Sequence, residues 1–457
     1  MKIRFVTLGC KLNFAESSAI GKALLQRGHT RAKQGEEADI CVINTCSVTD
    51  NADHKDRQTI HRIHRQNPNA IIIVTGCYAQ LQPEQIAQIE GVDYVLGQNE
   101  KYEITQLVDD IERLRDSLED ASLQDAASGY SLEAQKIRVA NIREVEEFHG
   151  AYSKDDRTRC FLKVQDGCNY FCTYCTIPYA RGKSRNPKIE EVVKDAQEAI
   201  SQGAKEIILT GVNIGDFGRS TGESFLELLR ALDSLENGVS PTGRSQSELQ
   251  VIGKSLEAKG MDYRIRISSC EPNLLTDEII DFVAQSKHFA PHFHIPLQSG
   301  SNEVLSIMKR RYTRELFEER VQHIKQVMPH AFIGVDCMVG VRGETEECFN
   351  DYVDFIKRLD VSQLHVFTYS ERANTRMLEL DVCIVPKAER QRRSKILHEI
   401  SEEKTRTFYA NQTGREAIVL WESKKEGDQM AGFTENYVKV YRPYDKEKVN
   451  TFEVIRL

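Results

Sequence analysis

The chain has 457 residues, 40% of them hydrophobic and 28% charged, with a formal net charge of -8. That length exceeds one ordinary core and predicts two or three domains. The acidic balance argues against a protein that coats nucleic acid indiscriminately, and no apolar run approaches a bilayer span. The start, "MKIRFVTLGCKLN", lacks the basic and apolar regions of a secretory signal, so the expected location is cytoplasmic.

Three apolar, strand-like runs open the chain, "IRFVTLGC", "ADICVINTC" and "AIIIVTGC", separated by helix-like segments such as "NFAESSAIGKALLQRG" and "DNADHKDRQTIHRIHRQ". Strands alternating with helices predict an open parallel α/β domain over residues 1–118. From 119 to 150 polar residues dominate, which predicts a connection. A second series follows over 151–385, with strands expected in "CFLKVQDGC", "EIILTGVNIGD", "YRIRISSCEP", "HFHIPLQSGS", "FIGVDCMVG" and "QLHVFTYSER". Half a dozen βα repeats suit a full or partial (β/α) barrel, with its chemistry at the carboxyl ends of the strands. The polar segment Val239 to Asp262 is longer than a βα connection needs and is expected as a surface insertion. Residues 386–457 read as a charged helix followed by short β-rich pieces, a small β-barrel of the kind appended for RNA contact.

The twelve cysteines are not expected as disulfides in a reducing compartment. Cys168, Cys172 and Cys175, in "DGCNYFCTYC", fit C-x3-C-x2-C. Structural zinc takes four ligands and no second pair follows here, whereas three thiolates on a [4Fe-4S] cube leave one iron open to another ligand. Cys10, Cys46 and Cys77 each end a predicted strand beside glycine or a short polar residue, so one crevice at the sheet's carboxyl edge would gather three more thiols. Of Cys41, Cys160, Cys270, Cys337, Cys348 and Cys383, most are expected in the core. His292 and His294 share one side of a strand with no further ligand in view. Basic runs at His54 to Gln66, Met308 to Arg314 and Lys387 to Lys395 are either solvated faces or phosphate contacts.

These cysteine sets, with "TLGCKLNFAES", "INTCSVT", "VTGCYAQ", "GCNYFCTYCTIPYARG", "LTGVNIGDFG", "HIPLQSGSNEVLSIMKRRYT" and "GETEE", resemble the methylthiotransferases, radical S-adenosylmethionine (SAM) enzymes, over nearly the whole length. The resemblance implies an α/β multidomain chain: an N-terminal domain for an auxiliary cluster, a central partial (β/α) radical-SAM barrel and a C-terminal TRAM-like β-barrel. It implies two [4Fe-4S] clusters, held by Cys10, Cys46 and Cys77 and by Cys168, Cys172 and Cys175. SAM would be bound with help from Tyr174, Gly211, Asn213, Ser269 and Glu271. Sulfur on the auxiliary cluster would take a methyl group from one SAM, and a deoxyadenosyl radical from a second would remove hydrogen from carbon 2 of an adenine. "LGCKLN" with "NTCSVTDNADHKDRQTIHR" looks like the branch acting on N6-threonylcarbamoyladenosine beside the anticodon. The expected partners are the tRNA anticodon stem-loop, gripped through Arg415, Tyr437, Lys439 and Tyr441, and an electron donor such as flavodoxin or ferredoxin; neither DNA nor membrane is expected. Cys270, Val341 and Arg342 depart from the family's usual words. The rival readings are isopentenyladenosine in tRNA or a ribosomal protein aspartate as substrate, a non-catalytic iron-sulfur carrier, and a zinc-dependent RNA-binding protein.

Overall fold

The computed structural model describes residues 1–33, 35–119, 136–153, 158–235 and 262–457, which form two compact units. The first comprises Met1–Glu147 with Cys175–Lys183, and the second Phe148–Tyr174 with Ser184–Leu457. Compaction therefore does not follow linear boundaries: a nine-residue piece of the central sequence packs with the N-terminal unit.

In the first unit, β1 (Lys2–Thr7), β2 (Thr30–Arg31), β3 (Ile40–Thr45), β4 (Ile71–Gly76), β5 (Tyr94–Leu96) and β6 (Ile137–Arg138) form one parallel sheet in the order β2-β1-β3-β4-β5-β6. The three predicted strands are β1, β3 and β4. The short β2, β5 and β6 do not stand out as apolar runs, and β6 corrects the reading of 119–150 as connection only; residues 120–135 of that stretch lie outside the described residues. Both sheet faces are covered, which is why β3 and β4 are almost continuously apolar. Ile40 and Val42 pack with Ile20 and Leu24 of α1 (Lys11–Gln26) and with Leu107, Val108 and Ile111 of the helix Ile104–Glu119. Cys41 and Ile43, one residue out of phase, pack with Ile60 and Ile63 of α2 (Asp50–Gln66) and Tyr78 of α3 (Cys77–Leu81). Thr49 caps α2, its hydroxyl accepting from the Ala52 N–H, with Asp50 and Asp53 in the first turn and His64 and Arg65 in the last.

In the second unit, β7 (Ala151–Tyr152) runs antiparallel to β8 (Arg159–Lys163), which continues in parallel through β9 (Glu206–Thr210) and β10 (Arg264–Ile267). A second parallel sheet holds β11 (His292–Gln298), β12 (Phe332–Val339) and β13 (Gln363–Thr368). Parallel bridges from Ile265 to Phe289 and from Ser269 to His294 join the two sheets, so all six predicted strands stand side by side. Helices such as Ile189–Ser201, Phe225–Asp233 and Glu346–Arg358 cover them. The insertion expected from Val239 lies, save Asp262, outside the described residues. Cys160, Cys270, Cys337 and Cys348 are buried, as Cys41 is in the first unit, while Cys383 is exposed.

After the helix Lys387–Ala410, four strands, β14 (Glu416–Glu426), β15 (Gln429–Thr434), β16 (Lys439–Pro443) and β17 (Phe452–Arg456), make an antiparallel sheet in the order β16-β15-β14-β17. It is fastened to the amino ends of β9 and β10. Arg264 Nη1 donates to the Ile418 carbonyl at 3.0 Å and Nη2 to that of Phe433 at 2.9 Å, while Arg266 Nη1 donates to that of Glu435 at 3.1 Å. Both guanidiniums also pair with the buried Glu206. The C-terminal sheet is thus attached at the ends of the barrel strands opposite their carboxyl ends.

Candidate active site

β1, β3 and β4 are neighbours in register, with Thr7 opposite Asn44 and Thr45 opposite Gly76, so their carboxyl ends align. Cys10 caps α1, Cys46 follows β3 and Cys77 opens α3. Two glycines make the loops this tight. Gly9 has φ 96°, and a Cβ there would meet the Cys46 Cβ at 2.6 Å; Gly76 has φ 101°, and a Cβ there would meet the Thr45 carbonyl at 2.3 Å. Asn13 Nδ2 donates to the carbonyls of Leu8 at 2.9 Å and Thr45 at 3.0 Å, and Asn44 Nδ2 donates to the Asn13 carbonyl at 3.2 Å, locking the first two loops together.

The thiols are close enough to feel one another. Burial pushes the Cys46 thiol up to about 12, and Cys77 and Cys10 push it the same way. The Cys77 thiol is also raised, first by burial and then by Cys10, against the pull of Arg181 and Lys101. Two buried thiols that resist ionisation, Cys46 and Cys77, beside the exposed Cys10, suit a cation that takes their protons' place. Among the described residues no three His, Cys, Asp or Glu side chains converge as around a single ion. A cube asks for a looser set, since each thiolate holds a different iron.

Charges crowd behind Cys77. Lys101 Nζ lies 2.7 Å from Glu16 Oε2, Arg181 Nη1 lies 3.1 Å from Glu16 Oε1, and Arg181 Nη2 donates to Asn13 Oδ1 at 2.6 Å. All three charged side chains are at most 1% exposed. Gln98 joins Lys101 to the site, accepting from its ammonium and donating through Nε2 to Cys77 Sγ at 3.2 Å. On the other flank Asp56 of α2 accepts the Cys46 N–H at 2.8 Å, and burial pushes its carboxyl up to about 7. Arg181, Lys101, Glu16 and Asp56 were missing from the sequence-based site; their only signal was charge at positions where helical or loop patterning wants apolar residues.

In the second unit the cysteine loop leaves the carboxyl end of β8. The Tyr170 N–H donates to Cys168 Sγ at 3.4 Å, and Phe171 turns the loop with φ 51°. Burial pushes the Cys168 thiol up to about 12; Cys172 is raised by burial too, against Arg310. The loop is tied to the turn after the helix Asn302–Ile307, because the Thr173 N–H donates to the Met308 carbonyl at 3.1 Å and its hydroxyl to that of Ile307 at 2.9 Å. Lys309, at φ 54°, reverses that turn and sends Arg310 inward. Arg310, 4% exposed, donates from Nη1 to Cys172 Sγ at 3.2 Å and to the Tyr174 hydroxyl at 3.5 Å, and pairs through Nη2 with Glu271. Cys175 belongs to the first unit, where the Ile177 N–H donates to its sulfur at 3.4 Å.

The remaining predicted residues stand at strand ends. Gly211 follows β9, and the next two N–H groups, of Val212 and Asn213, both donate to Gln165 Oε1, at 2.9 and 2.8 Å. A Cβ on Gly211 would meet that oxygen at 2.9 Å. Asn213 is 3% exposed, its amide beside the Tyr170 hydroxyl, a buried polar group that suits a polar ligand. Ser269 bridges to His294, whose Nε2 lies 2.7 Å from Asp336 Oδ1. Tyr174 packs against Val304, Met308 and Val341. Not all expectations hold in the C-terminal sheet. Tyr437 is packed among Phe332, Phe433 and His292, and Arg415 pairs with Glu435 at 2.6 Å, because the barrel strands β11 and β12 beneath the sheet and the Glu435 carboxylate take them up. Tyr441 is 49% exposed, with the Lys439 ammonium over its ring; Lys439 also pairs with Glu426 at 3.1 Å, at a more exposed place than the Arg415–Glu435 pair.

Two family models match: "Uncharacterized protein family UPF0004" over residues 2–97 and "Radical SAM superfamily" over 162–356. The threonylcarbamoyladenosine tRNA methylthiotransferase MtaB of Bacillus subtilis (strain 168) is 37% identical, across 96% of this chain and 89% of its own. Its namesake from Aquifex aeolicus (strain VF5) is 34% identical across 98% of both. A tRNA-2-methylthio-N(6)-dimethylallyladenosine synthase from Pelotomaculum thermopropionicum is 30% identical across 94% of this chain and 88% of its own. Among solved structures, the radical S-adenosylmethionine methyltransferase TsrM from Kitasatospora setae shares the fold, with a TM-score of 0.54 and 15% identity across 80% of this chain and 72% of its own. With radical-SAM strands, a cysteine loop at their carboxyl ends and relatives alike from end to end, the chain is a radical SAM methylthiotransferase enzyme and belongs to the threonylcarbamoyladenosine tRNA methylthiotransferase family.

Proposed function

We propose that this enzyme converts N6-threonylcarbamoyladenosine in the anticodon stem-loop of tRNA to its 2-methylthio derivative, with Cys10, Cys46 and Cys77 holding one [4Fe-4S] cluster and Cys168, Cys172 and Cys175 the other. The observation that carries the reading is the gathering of Cys10, Cys46 and Cys77, the last two buried, at the strand ends of the first unit, together with the C-x3-C-x2-C sequence of Cys168, Cys172 and Cys175. When bound, the clusters and SAM supply a hydrogen-abstracting adenosyl radical and the methylthio sulfur.

The chain's own residues hold and orient. Arg310 offsets the thiolate charge of Cys172 and fixes the Glu271 carboxylate, which would receive the amino group of SAM. Gln165 pins the Gly211–Asn213 turn and so holds the Asn213 amide at the strand end. Lys101 and Arg181 offset charge gathered on the thiolates of the first unit, and Asp56 fixes the Cys46 loop. Burial keeps water from these groups, which a reactive carbon radical requires. The C-terminal sheet is a TRAM-like module that grips RNA through Lys439 and Tyr441.

The test is an anaerobic reaction of reconstituted protein, reductant and SAM, with tRNA carrying threonylcarbamoyladenosine beside tRNA carrying isopentenyladenosine, read by nucleoside mass spectrometry. A methylthio adduct on the threonylcarbamoyl nucleoside alone supports the proposal. An adduct on the isopentenyl nucleoside overturns the substrate, and deoxyadenosine release with neither tRNA modified points to a protein substrate.

A further inference from the structure

Of the three basic runs in the sequence, two have most of their arginines taken up by the fold. In Met308–Arg314, Arg310 pairs with Glu271, Arg311 lies over the Tyr170 ring at 4.1 Å, and Arg314 pairs with Asp351 at 2.5 Å. In Lys387–Lys395, Arg390 pairs with Glu371 at 3.0 Å, Arg392 with Glu389 at 2.6 Å, and Arg393 with Glu344 at 2.7 Å. The run on α2 behaves differently. Lys55, Arg62 and Arg65 are exposed, and none forms an ion pair with a carboxylate among the described residues; Arg65 Nε makes only a 3.4 Å bond to the His61 carbonyl of its own helix. The helix's two buried carboxylates, Asp53 and Asp56, face the other way, accepting from the Ser47 hydroxyl and the Cys46 N–H at 2.8 Å each. The outer face is therefore left cationic.

That face is also concave. Lys55, His61, Arg62, His64 and Arg65 line a cavity of about 750 Å³ with a single carboxylate, Glu90. The His64 imidazole lies against Gly91, where a Cβ would meet it at 2.3 Å, and its buried Nδ1 has no hydrogen-bond partner. Spacings of three, four and seven residues put these cations on one side of the helix, along roughly 15 Å of its axis at 1.5 Å per residue. The cavity reaches Leu8, two residues before Cys10, and the same helix holds the Cys46 N–H.

We propose that this α2 groove is a binding site for the phosphodiester backbone of RNA, leading toward the three-thiol site of the first unit. It rests on the reading that the substrate is tRNA. An elongated cationic trough tracks a chain of phosphates, and charge complementarity selects a polyanion. An acidic protein partner is a poorer fit, because a protein interface is built round an apolar core and Leu8 is the only apolar side chain lining the groove.

The experiment compares full-length reconstituted wild type with the Lys55→Gln/Arg62→Gln/Arg65→Gln variant, measuring affinity for tRNA carrying threonylcarbamoyladenosine over a salt series. Each phosphate neutralised contributes about 0.7–0.9 to the slope of log affinity against log salt, so the variant's slope should be shallower by about 2–3. Between about 50 and 200 mM salt the wild type should then lose roughly 20–40-fold more affinity than the variant. Iron and labile sulfide per chain, and hydrogen exchange of peptides from β3 and β4, should be equal in both, showing that the first unit is intact. A slope within about half a unit of wild type overturns the proposal. So does an unchanged slope with slower reduction by flavodoxin, which would make the groove a protein dock. A wild type that does not bind tRNA at all overturns the substrate reading along with it.

Discussion

Glu16 is an anion shared by two cations that water does not reach, so Glu16→Gln should be unusually costly. The substitution preserves shape and removes one charge, leaving Arg181 and Lys101, each 1% exposed, without their common partner at 3.1 and 2.7 Å. Removing one member of a buried pair costs about 3–5 kcal/mol, chiefly through the stranded charge. At about 1.4 kcal/mol per decade, hydrogen exchange in peptides from α1 and α3 should speed up roughly 10²- to 10⁴-fold. Peptides from β11, β12 and β13, in the other unit, should be unaffected. Removing all three charges together, as Glu16→Leu with Arg181→Met and Lys101→Met, should recover most of the protection, because no charge is then stranded. Exchange within about fivefold of wild type in Glu16→Gln, near 1 kcal/mol, would refute the reasoning.

Arg310→Met should lower deoxyadenosine release roughly 10- to 100-fold, the worth of charge-assisted bonds of about 1.5–3 kcal/mol, and should weaken SAM binding in a titration without turnover. Gly9→Ala places a Cβ 2.6 Å from that of Cys46 at a φ of 96°, so it should lower the iron held by the first unit while leaving SAM cleavage in place, as iron analysis beside a deoxyadenosine assay would show. Burial works to raise the Glu206 carboxyl, but Arg264 and Arg266 outweigh it and hold it well below the usual carboxylate range. A depressed folded value means the carboxylate stabilises the fold above its ordinary unfolded value of 4.5 and loses that contribution as pH falls toward the folded value. Acid unfolding followed by Trp421 fluorescence should accordingly flatten below about pH 4.5 in Glu206→Gln, measured against wild type.

What the sequence shows best is what strand periodicity and cysteine spacing encode. Cys10, Cys46 and Cys77 are legible because each ends an apolar run of the kind a two-sided parallel sheet requires, and glycine precedes two of them. Asn213 and Glu271 follow from the same rule of strand ends. Arg310 is not legible from charge, since its run looks like the one at His54 to Gln66. Only the left-handed turn at Lys309 sends it inward, and a single positive φ leaves no mark on composition. Arg181 is harder still: its fate depends on Cys175–Lys183 packing with the N-terminal unit, a long-range event that no local pattern records. The C-terminal sheet shows the opposite error. Tyr437 looks like a surface aromatic in "ENYVKVY", yet the core beneath the sheet takes it, leaving Tyr441 outside.

The central claim is that two separate thiol triplets each hold an iron-sulfur cube, and a count of iron and labile sulfide tests it most directly. The wild type, reconstituted anaerobically, should hold about eight irons and about eight sulfides per chain, four of each per cube. Replacing Cys10, Cys46 and Cys77 together by Ala should leave about half, with SAM still cleaved, and replacing Cys168, Cys172 and Cys175 should leave the other half with cleavage abolished. Zinc without sulfide in the wild type, or either triple variant keeping its full iron, would contradict the account.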